Sequence, residues 1–469
     1  MPFHMKKINN IPHKIAMLPL CLLLGAFILA GSVSSCKKYL DLKPDKSLVV
    51  PATLQDLQAL LDNIDVMNRG YAYAAELATD DNYLADADWA NLYTQQDKDT
   101  YTWNPAAQVT DGQWLGPYKT VYQANLILET LGTIPMTAAN KSEWNAIKGS
   151  ALFFRAFAFY ELAQHFTMPY DPATAGALPG IPLRLSSDIY AKTTRAGLQQ
   201  TYDQVLSDLR LSLTVLPEVS ANQARPALAA VYGELARVYL VMGDYRRAGL
   251  YADTCLQKNE TLIDFNTLDP NAGTPFQPFN EETILYTLAQ GSDALSPPAS
   301  KTDSSLYASY DPNDLRKIIY YQDNGDGTFS FKGGYDGIGY GTVFNGIATD
   351  EMLLIRAECF AREGNTTNAL KDLNTLLKQR FLTGTFIPVT ASGAGDALQQ
   401  ILTERRKELV FRGLRWSDLR RLNLDKTRAV TLQRHLNGKV YTLPPNDPRY
   451  ALLIPEEVIQ QSGITQNKR

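Results

Sequence analysis

Leu402-Thr-Glu-Arg-Arg-Lys-Glu-Leu-Val-Phe-Arg-Gly-Leu-Arg-Trp-Ser-Asp-Leu-Arg-Arg-Leu422 is the stretch on which the fold turns. Leu402, Leu409 and Val410 form an apolar stripe, while Glu404, Arg405, Arg406, Lys407 and Glu408 fill the remaining turns, as in an amphipathic helix. Gly413 reads as a C-cap, where the chain reverses without a Cβ penalty. Beyond it Trp416, Leu419 and Leu422 repeat the stripe, and Asp418 precedes Arg421 by three residues, within reach on a helix. Helix, tight turn and second helix predict scaffold, with charges that satisfy one another.

The same periodicity extends upstream. Thr53 predicts the cap of a helix to Asn63 carrying Leu54, Leu57, Leu60 and Leu61. Two strong helical patterns occupy 115–164 across Ile134-Pro135, and His165 at their end reads as a dipole-matched cap. Aligning Ala236 with Ala357 brings Gly243 onto Gly364 and Ala248 onto Ala369, an internal repeat whose positions resemble a tetratricopeptide unit. Helix hairpins of this kind must stack to bury their apolar faces. Four are expected, over 115–164, 198–240, 245–256 with 349–363, and 366–379 with 397–412. The chain is expected to close with a strand at Leu452 to Ile454 and a short helix begun by Pro455.

Composition narrows the function. With 469 residues, 45% of them hydrophobic, the chain has material for a large core. Its net charge of −4 falls to −7 without Lys6, Lys7 and Lys14, which argues against a nucleic-acid partner. Those lysines precede an apolar run, Ile15 to Ala30, and then Gly31-Ser-Val-Ser-Ser-Cys36. Residues 1–35 therefore read as a leader and 36–469 as the mature domain. Cys255 and Cys359 lie in helical patterns and read as buried free thiols, so a core rather than cross-links holds the fold. His165 and His435 are the histidines left in the mature chain, with no ligand cluster around either, and neither a metal centre nor a cofactor is expected.

Two excursions break the helical pattern, over 64–117 and 257–349. The first interleaves Tyr71, Tyr83, Trp89, Tyr93 and Trp103 with Asp80, Asp81, Asn82, Asp86 and Asp88. Aromatic rings stack on the apolar faces of sugars, and carboxylates and amides satisfy hydroxyls; the same residues also pin a long excursion onto helices. The second predicts a strand at Thr283 to Leu288 and a hairpin of Lys317–Tyr321 with Thr328–Phe331 around Asp323-Asn-Gly-Asp-Gly327. That turn lacks the ligand order of a calcium loop. Clustered aspartates would also suit a glycoside hydrolase, but no catalytic framework fixes their geometry.

In this order, the Cys36 start, the leucine helix, the split repeat scaffold, the glutamate-arginine helix, Arg415-Trp416-Ser417-Asp418-Leu419 and Ile454-Pro455 resemble the SusD/RagB family of outer-membrane nutrient-binding lipoproteins. Ser417 departs from the family's usual aromatic. The resemblance implies a mainly α, SusD-like fold with four tetratricopeptide-like hairpins and irregular loop and β-hairpin excursions. It further implies a non-catalytic surface protein, lipidated at Cys36, that captures oligosaccharide and delivers it to a SusC-like TonB-dependent transporter. A peptide or other nutrient is the alternative cargo. The binding face would lie among the excursions, with Trp89, Tyr93, Asp81, Asn82, Tyr307 and Tyr340 as its candidate residues.

Overall fold

The computed structural model describes residues 51–469; the expected leader, Cys36 and its tether lie outside the described residues. The principal helices are α1 (Leu54–Leu61), α2 (Asp111–Leu131), α3 (Lys141–Phe166), α4 (Leu198–Leu213), α5 (Leu228–Val241), α6 (Tyr245–Leu256), α7 (Thr349–Arg362), α8 (Thr366–Lys378), α9 (Ala394–Glu408) and α10 (Arg415–Leu422). They pack side by side, α2 on α3, α3 on α4, α5 on α6, α6 on α7, and α7 on both α8 and α9. The fold is mainly α-helical. Among the described residues no helix is long and apolar enough to cross a membrane.

Local chemistry explains the helix ends. Thr53 caps α1 with a reciprocal box: its hydroxyl accepts from the Asp56 amide at 3.2 Å, and the Asp56 carboxylate accepts from the Thr53 amide at 3.0 Å. The repeat is visible in the backbone itself. Gly243 and Gly364 both adopt left-handed conformation, at φ +75° and +83°, and Asp244 and Asn365 then cap α6 and α8. From Gly149 to Phe166 every residue of α3 is buried, so this helix runs through the centre of the core rather than along its edge. His165 accordingly differs from its expected role. Its Nδ1 lies 2.8 Å from the Glu161 carbonyl oxygen, and burial pushes its pKa down to about 4, so it is a neutral core group and not a charged cap.

The sheets among the described residues are all two-stranded and antiparallel. The expected strand at Thr283 to Leu288 is two short ones, Thr283–Leu285 against Ile347–Ala348 and Leu288–Ala289 against Val343–Phe344. The hairpin over the Asp-Asn-Gly-Asp-Gly turn pairs Tyr321–Asp323 with Phe329–Phe331; Arg316–Ile319 is helical, because Arg316 is drawn into a buried ion cluster. Leu453 makes a single bridge to Gln108 in place of a closing strand. A further hairpin pairs Leu432–Leu436 with Lys439–Leu443 around Asn437-Gly438.

The 402–422 stretch is a hub. The first helix ends at Glu408, and Gly413 stands in the turn beyond it rather than at the cap, with φ +69° and its amide donating to Glu76 at 2.9 Å. Asp418 accepts from Arg405 and from Arg421, each at 2.8 Å, and Arg421 also reaches Glu358 of α7 at 2.6 Å. Glu408 holds Arg316 at 2.9 Å and Arg380 at 2.7 Å, and Arg380 continues to Glu282 at 2.8 Å. Arg406 and Arg415 reach Asp81 at 3.0 Å and Asp80 at 2.7 Å. The charges thus do more than satisfy one another: they tie the roots of both excursions to the scaffold. Replacing Gly413 with alanine is expected to cost about 1–2 kcal/mol for the left-handed backbone alone. Chemical denaturation measures it, and a variant as stable as the native chain would refute the requirement.

A second buried cluster titrates. Arg237 pairs with Glu351 at 2.6 Å and Glu234 at 3.4 Å, while Glu161 accepts from Asn345 at 3.1 Å. Burial, only partly opposed by Arg237, pushes Glu161 up to about 7 and Glu234 up to about 8. Their folded pKa values exceed the unfolded ones. The stability they contribute is therefore complete below the ordinary carboxylate range and is lost as pH rises through about 7–8. The thermal midpoint should fall on going from about pH 6 to about pH 9, and Glu234→Gln should flatten that fall. A native midpoint that rises over this range would contradict the assignment.

Candidate binding face

Two tyrosine rings stand almost free in solvent, Tyr93 at 91% and Tyr340 at 82% exposure. They come from different excursions, and the backbone brings both onto one loop, 290–296. Tyr93 lies between the short helices Asp86–Asn91 and Gln95–Tyr101, and its amide donates to the Asp293 carboxylate at 3.0 Å. Immediately after it Thr94 caps the next helix, its hydroxyl accepting from the Asp97 amide at 3.1 Å. Asp97 is buried and accepts from the Tyr73 hydroxyl at 2.9 Å and from the Ser292 hydroxyl at 3.0 Å; burial raises its pKa. The first excursion is thus fastened to the loop at both Ser292 and Asp293.

Tyr340 is fastened from the other side. It has φ +56° and is flanked by Gly339 and Gly341, at +74° and +73°. Three consecutive left-handed residues require glycines around the tyrosine and an external hold on the turn. The Asp336 carboxylate supplies that hold, accepting from the amides of Ile338 at 3.0 Å and Gly339 at 2.8 Å. The approach to the loop is close: a side chain at Gly341 would fall 2.2 Å from the Ser292 carbonyl oxygen, and one at Gly291 would fall 3.2 Å from that of Tyr340. Both rings are therefore carried on fixed backbone, with the Asp293 carboxylate at the Tyr93 amide and the exposed Gln290 on the same loop.

The other expected residues fall elsewhere. Trp89 is half-buried in the helix before Tyr93; its indole N–H donates to the Lys98 carbonyl at 3.1 Å, and the Lys98 ammonium lies 5.9 Å from its ring. Tyr307 stacks on Phe329 at 3.6 Å and meets Tyr321 edge-on at 5.5 Å, a separate aromatic cluster. Asp81 and Asn82 are buried. Asp81 is engaged by Arg406, and Asn82 pairs with Thr302 in a short strand. Both side chains are thus turned into the protein, Asp81 by the hub and Asn82 by its strand, and do not stand exposed with Tyr93 and Tyr340. The other clustered aspartates are also engaged: Asp80 by Arg415, Asp88 by Lys301 at 2.5 Å, and Asp86 by the Asn437 amide at 2.8 Å. Gln290 and Asp293 carry no periodic signal, and their proximity to the tyrosines is a product of tertiary folding alone.

Two family models match the sequence, one described as starch-binding associating with outer membrane over residues 38–240, and one described as SusD family over residues 349–460. SusD-like protein P2 of Formosa agariphila is 24% identical over 376 residues, covering 66% of this chain and 71% of that protein. A SusD superfamily protein of Bacteroides thetaiotaomicron superposes with a TM-score of 0.70 at 23% identity, over 89% of this chain and all of that one. A laminarin-binding SusD-like protein superposes with a TM-score of 0.63 at 18% identity, over 88% of this chain and 97% of that one.

Proposed function

Because the chain belongs to the SusD/RagB family of non-catalytic binding proteins, we propose that it captures an oligosaccharide on the Tyr93–Tyr340 face and delivers it to a SusC-like TonB-dependent transporter. The observation that carries this reading is the pair of exposed tyrosines held on fixed backbone around one loop. Leaving two rings in water is unfavourable unless a ligand covers them, and rings already in place avoid the entropy of ordering on binding. Sugar rings offer apolar faces to stack and hydroxyls for the Gln290 amide and the Asp293 carboxylate. Trp89 flanks Tyr93 and extends the face, while Tyr307 serves a neighbouring part of the surface. Asp81 and Asn82, both buried, serve to fix the first excursion rather than to touch the sugar.

The four tetratricopeptide-like hairpins serve in this proposal as the rigid body behind the face. Lipid on Cys36 tethers the protein to the outer membrane at the cell surface. A related fold binds laminarin, which supports a glycan over a peptide as cargo. An array of starch-, xylan-, pectin- and laminarin-derived glycans tests the reading. Retention on at least one class is expected. Retention on none, in a protein that still co-purifies with a transporter, would overturn the glycan and favour a peptide.

A further inference from the structure

Among the described residues one other aromatic side chain is as exposed as Tyr93 and Tyr340, and it is Tyr190, at 91%. It stands on the loop between the paired strands Pro179–Pro182 and Arg195–Gly197, outside both excursions. This loop is fastened along its length. The Asn125 amide donates to the carbonyls of Arg184 at 2.9 Å and Ser186 at 3.2 Å, and the Glu129 carboxylate accepts from the Ser187 amide at 2.9 Å. Arg184 closes the loop on itself through the Ala191 carbonyl at 2.6 Å and the Thr193 hydroxyl at 2.8 Å. The combination found at the first face, an exposed tyrosine on fixed backbone, therefore recurs at a second place.

Between this loop and the outer side of α2 lies an open groove of about 550 Å³, within the size range of ligand clefts. Tyr118 and Tyr122 form one wall and Ile189 and Tyr190 the other, with Lys192 and Gln461 offering polar groups at the rim. The Tyr118 hydroxyl donates to the Pro182 carbonyl at 2.8 Å, which fixes that ring against the hairpin.

Helix α2 runs from the groove towards the loop that carries the first face. Gly112, Leu115 and Tyr122 share one side of α2, and a side chain at Gly112 would fall 3.3 Å from the Gln290 amide oxygen. From Gly112 to Tyr122 the helix rises roughly 15 Å. A chain-like ligand leaving Tyr340 past Gln290 would thus meet the groove along the surface of α2.

We propose that this groove is a second saccharide subsite, which takes further units of the polymer whose first units lie on the Tyr93–Tyr340 face. The proposal rests on the glycan reading of that face. Its stacking walls and polar rim match the chemistry of the first site, and the path along α2 joins the two.

The test uses the full mature protein and glycans from the starch, xylan, pectin and laminarin series, comparing disaccharides and trisaccharides with the parent polysaccharide. Tyr190→Ala should leave the affinity for short oligosaccharides within about twofold and weaken polysaccharide binding about tenfold, as loss of one aromatic anchor does. Tyr340→Ala should weaken both. If Tyr190→Ala leaves binding unchanged at every length, or if it weakens the short ligands as much as the long, the second subsite is refuted while the first face stands. If Tyr190→Ala spares every glycan but abolishes co-purification with the transporter, the groove is a protein contact and the proposal fails. If Tyr340→Ala changes nothing while Tyr190→Ala weakens polysaccharide binding, the groove is upheld and the first face is the error. If the native protein is retained by no glycan of any length, the functional reading fails and the second subsite falls with it.

Discussion

Replacing Glu408 with alanine is expected to destabilise the protein by about 3–5 kcal/mol, the cost of leaving buried charge without its partner. Glu408 is fully buried, and its two oxygens accept from Arg316 and Arg380, both also fully buried. Truncation removes a partner from both guanidiniums at once. Asp314 and Glu404 remain to Arg316, and Glu282 remains to Arg380, so neither cation is wholly abandoned. The effect should also spread towards the ligand face. Glu282 accepts from the Tyr335 hydroxyl at 2.8 Å, and Asp336, the next residue, holds the turn that carries Tyr340. Urea denaturation measures the loss, with exposed Glu363→Ala as the control, expected to change stability by no more than about 0.5 kcal/mol. A Glu408→Ala protein within about 1 kcal/mol of the native one would mean that the hub is ornamental to stability.

The scaffold was legible because its signals are local. Gly243 and Gly364 mark the same turn twice, and a left-handed residue followed by an Asp or Asn cap is specified by its own few residues. Thr53 declares α1 in the same way. The Leu432–Leu443 hairpin has an equally local signal in Asn437-Gly438, both at positive φ, which helical periodicity does not reveal. Arg316 shows where local signals fail: β-prone neighbours predict a strand, yet Glu404 and Glu408, some ninety positions away, join neighbouring Asp314 in holding it in a helical turn. The candidate face was half legible. Exposed-aromatic chemistry in the excursions picks out Tyr93 and Tyr340, but cannot separate them from Asp81 and Asn82, whose burial is decided by Arg406 and by pairing with the strand at Lys301–Thr302. Gln290 and Asp293 became visible only once the loop was seen between the tyrosines. Charged residues in a dense run read as a self-contained scaffold; their reach of more than three hundred positions to Asp80 and Asp81 is set by packing.

Removing both exposed rings, Tyr93→Ala with Tyr340→Ala, should produce the largest loss of binding. Each tyrosine offers an open face on a fixed backbone, and aromatic anchors of this kind contribute on the order of 1–2 kcal/mol apiece. Together they predict a fall in affinity of roughly a hundredfold. Stability should hardly change, because neither side chain is packed in the core: both are more than four-fifths exposed, and the bonds that fix Tyr93 and the Tyr340 turn are made by backbone amides. That separation of binding from folding makes the double variant the most direct test of the account. Calorimetric titration of the native and doubly substituted proteins with the oligosaccharide that the native protein retains best should show the roughly hundredfold loss at an unchanged thermal midpoint. Equal affinity in the two proteins would contradict the account and move the capture site away from these tyrosines.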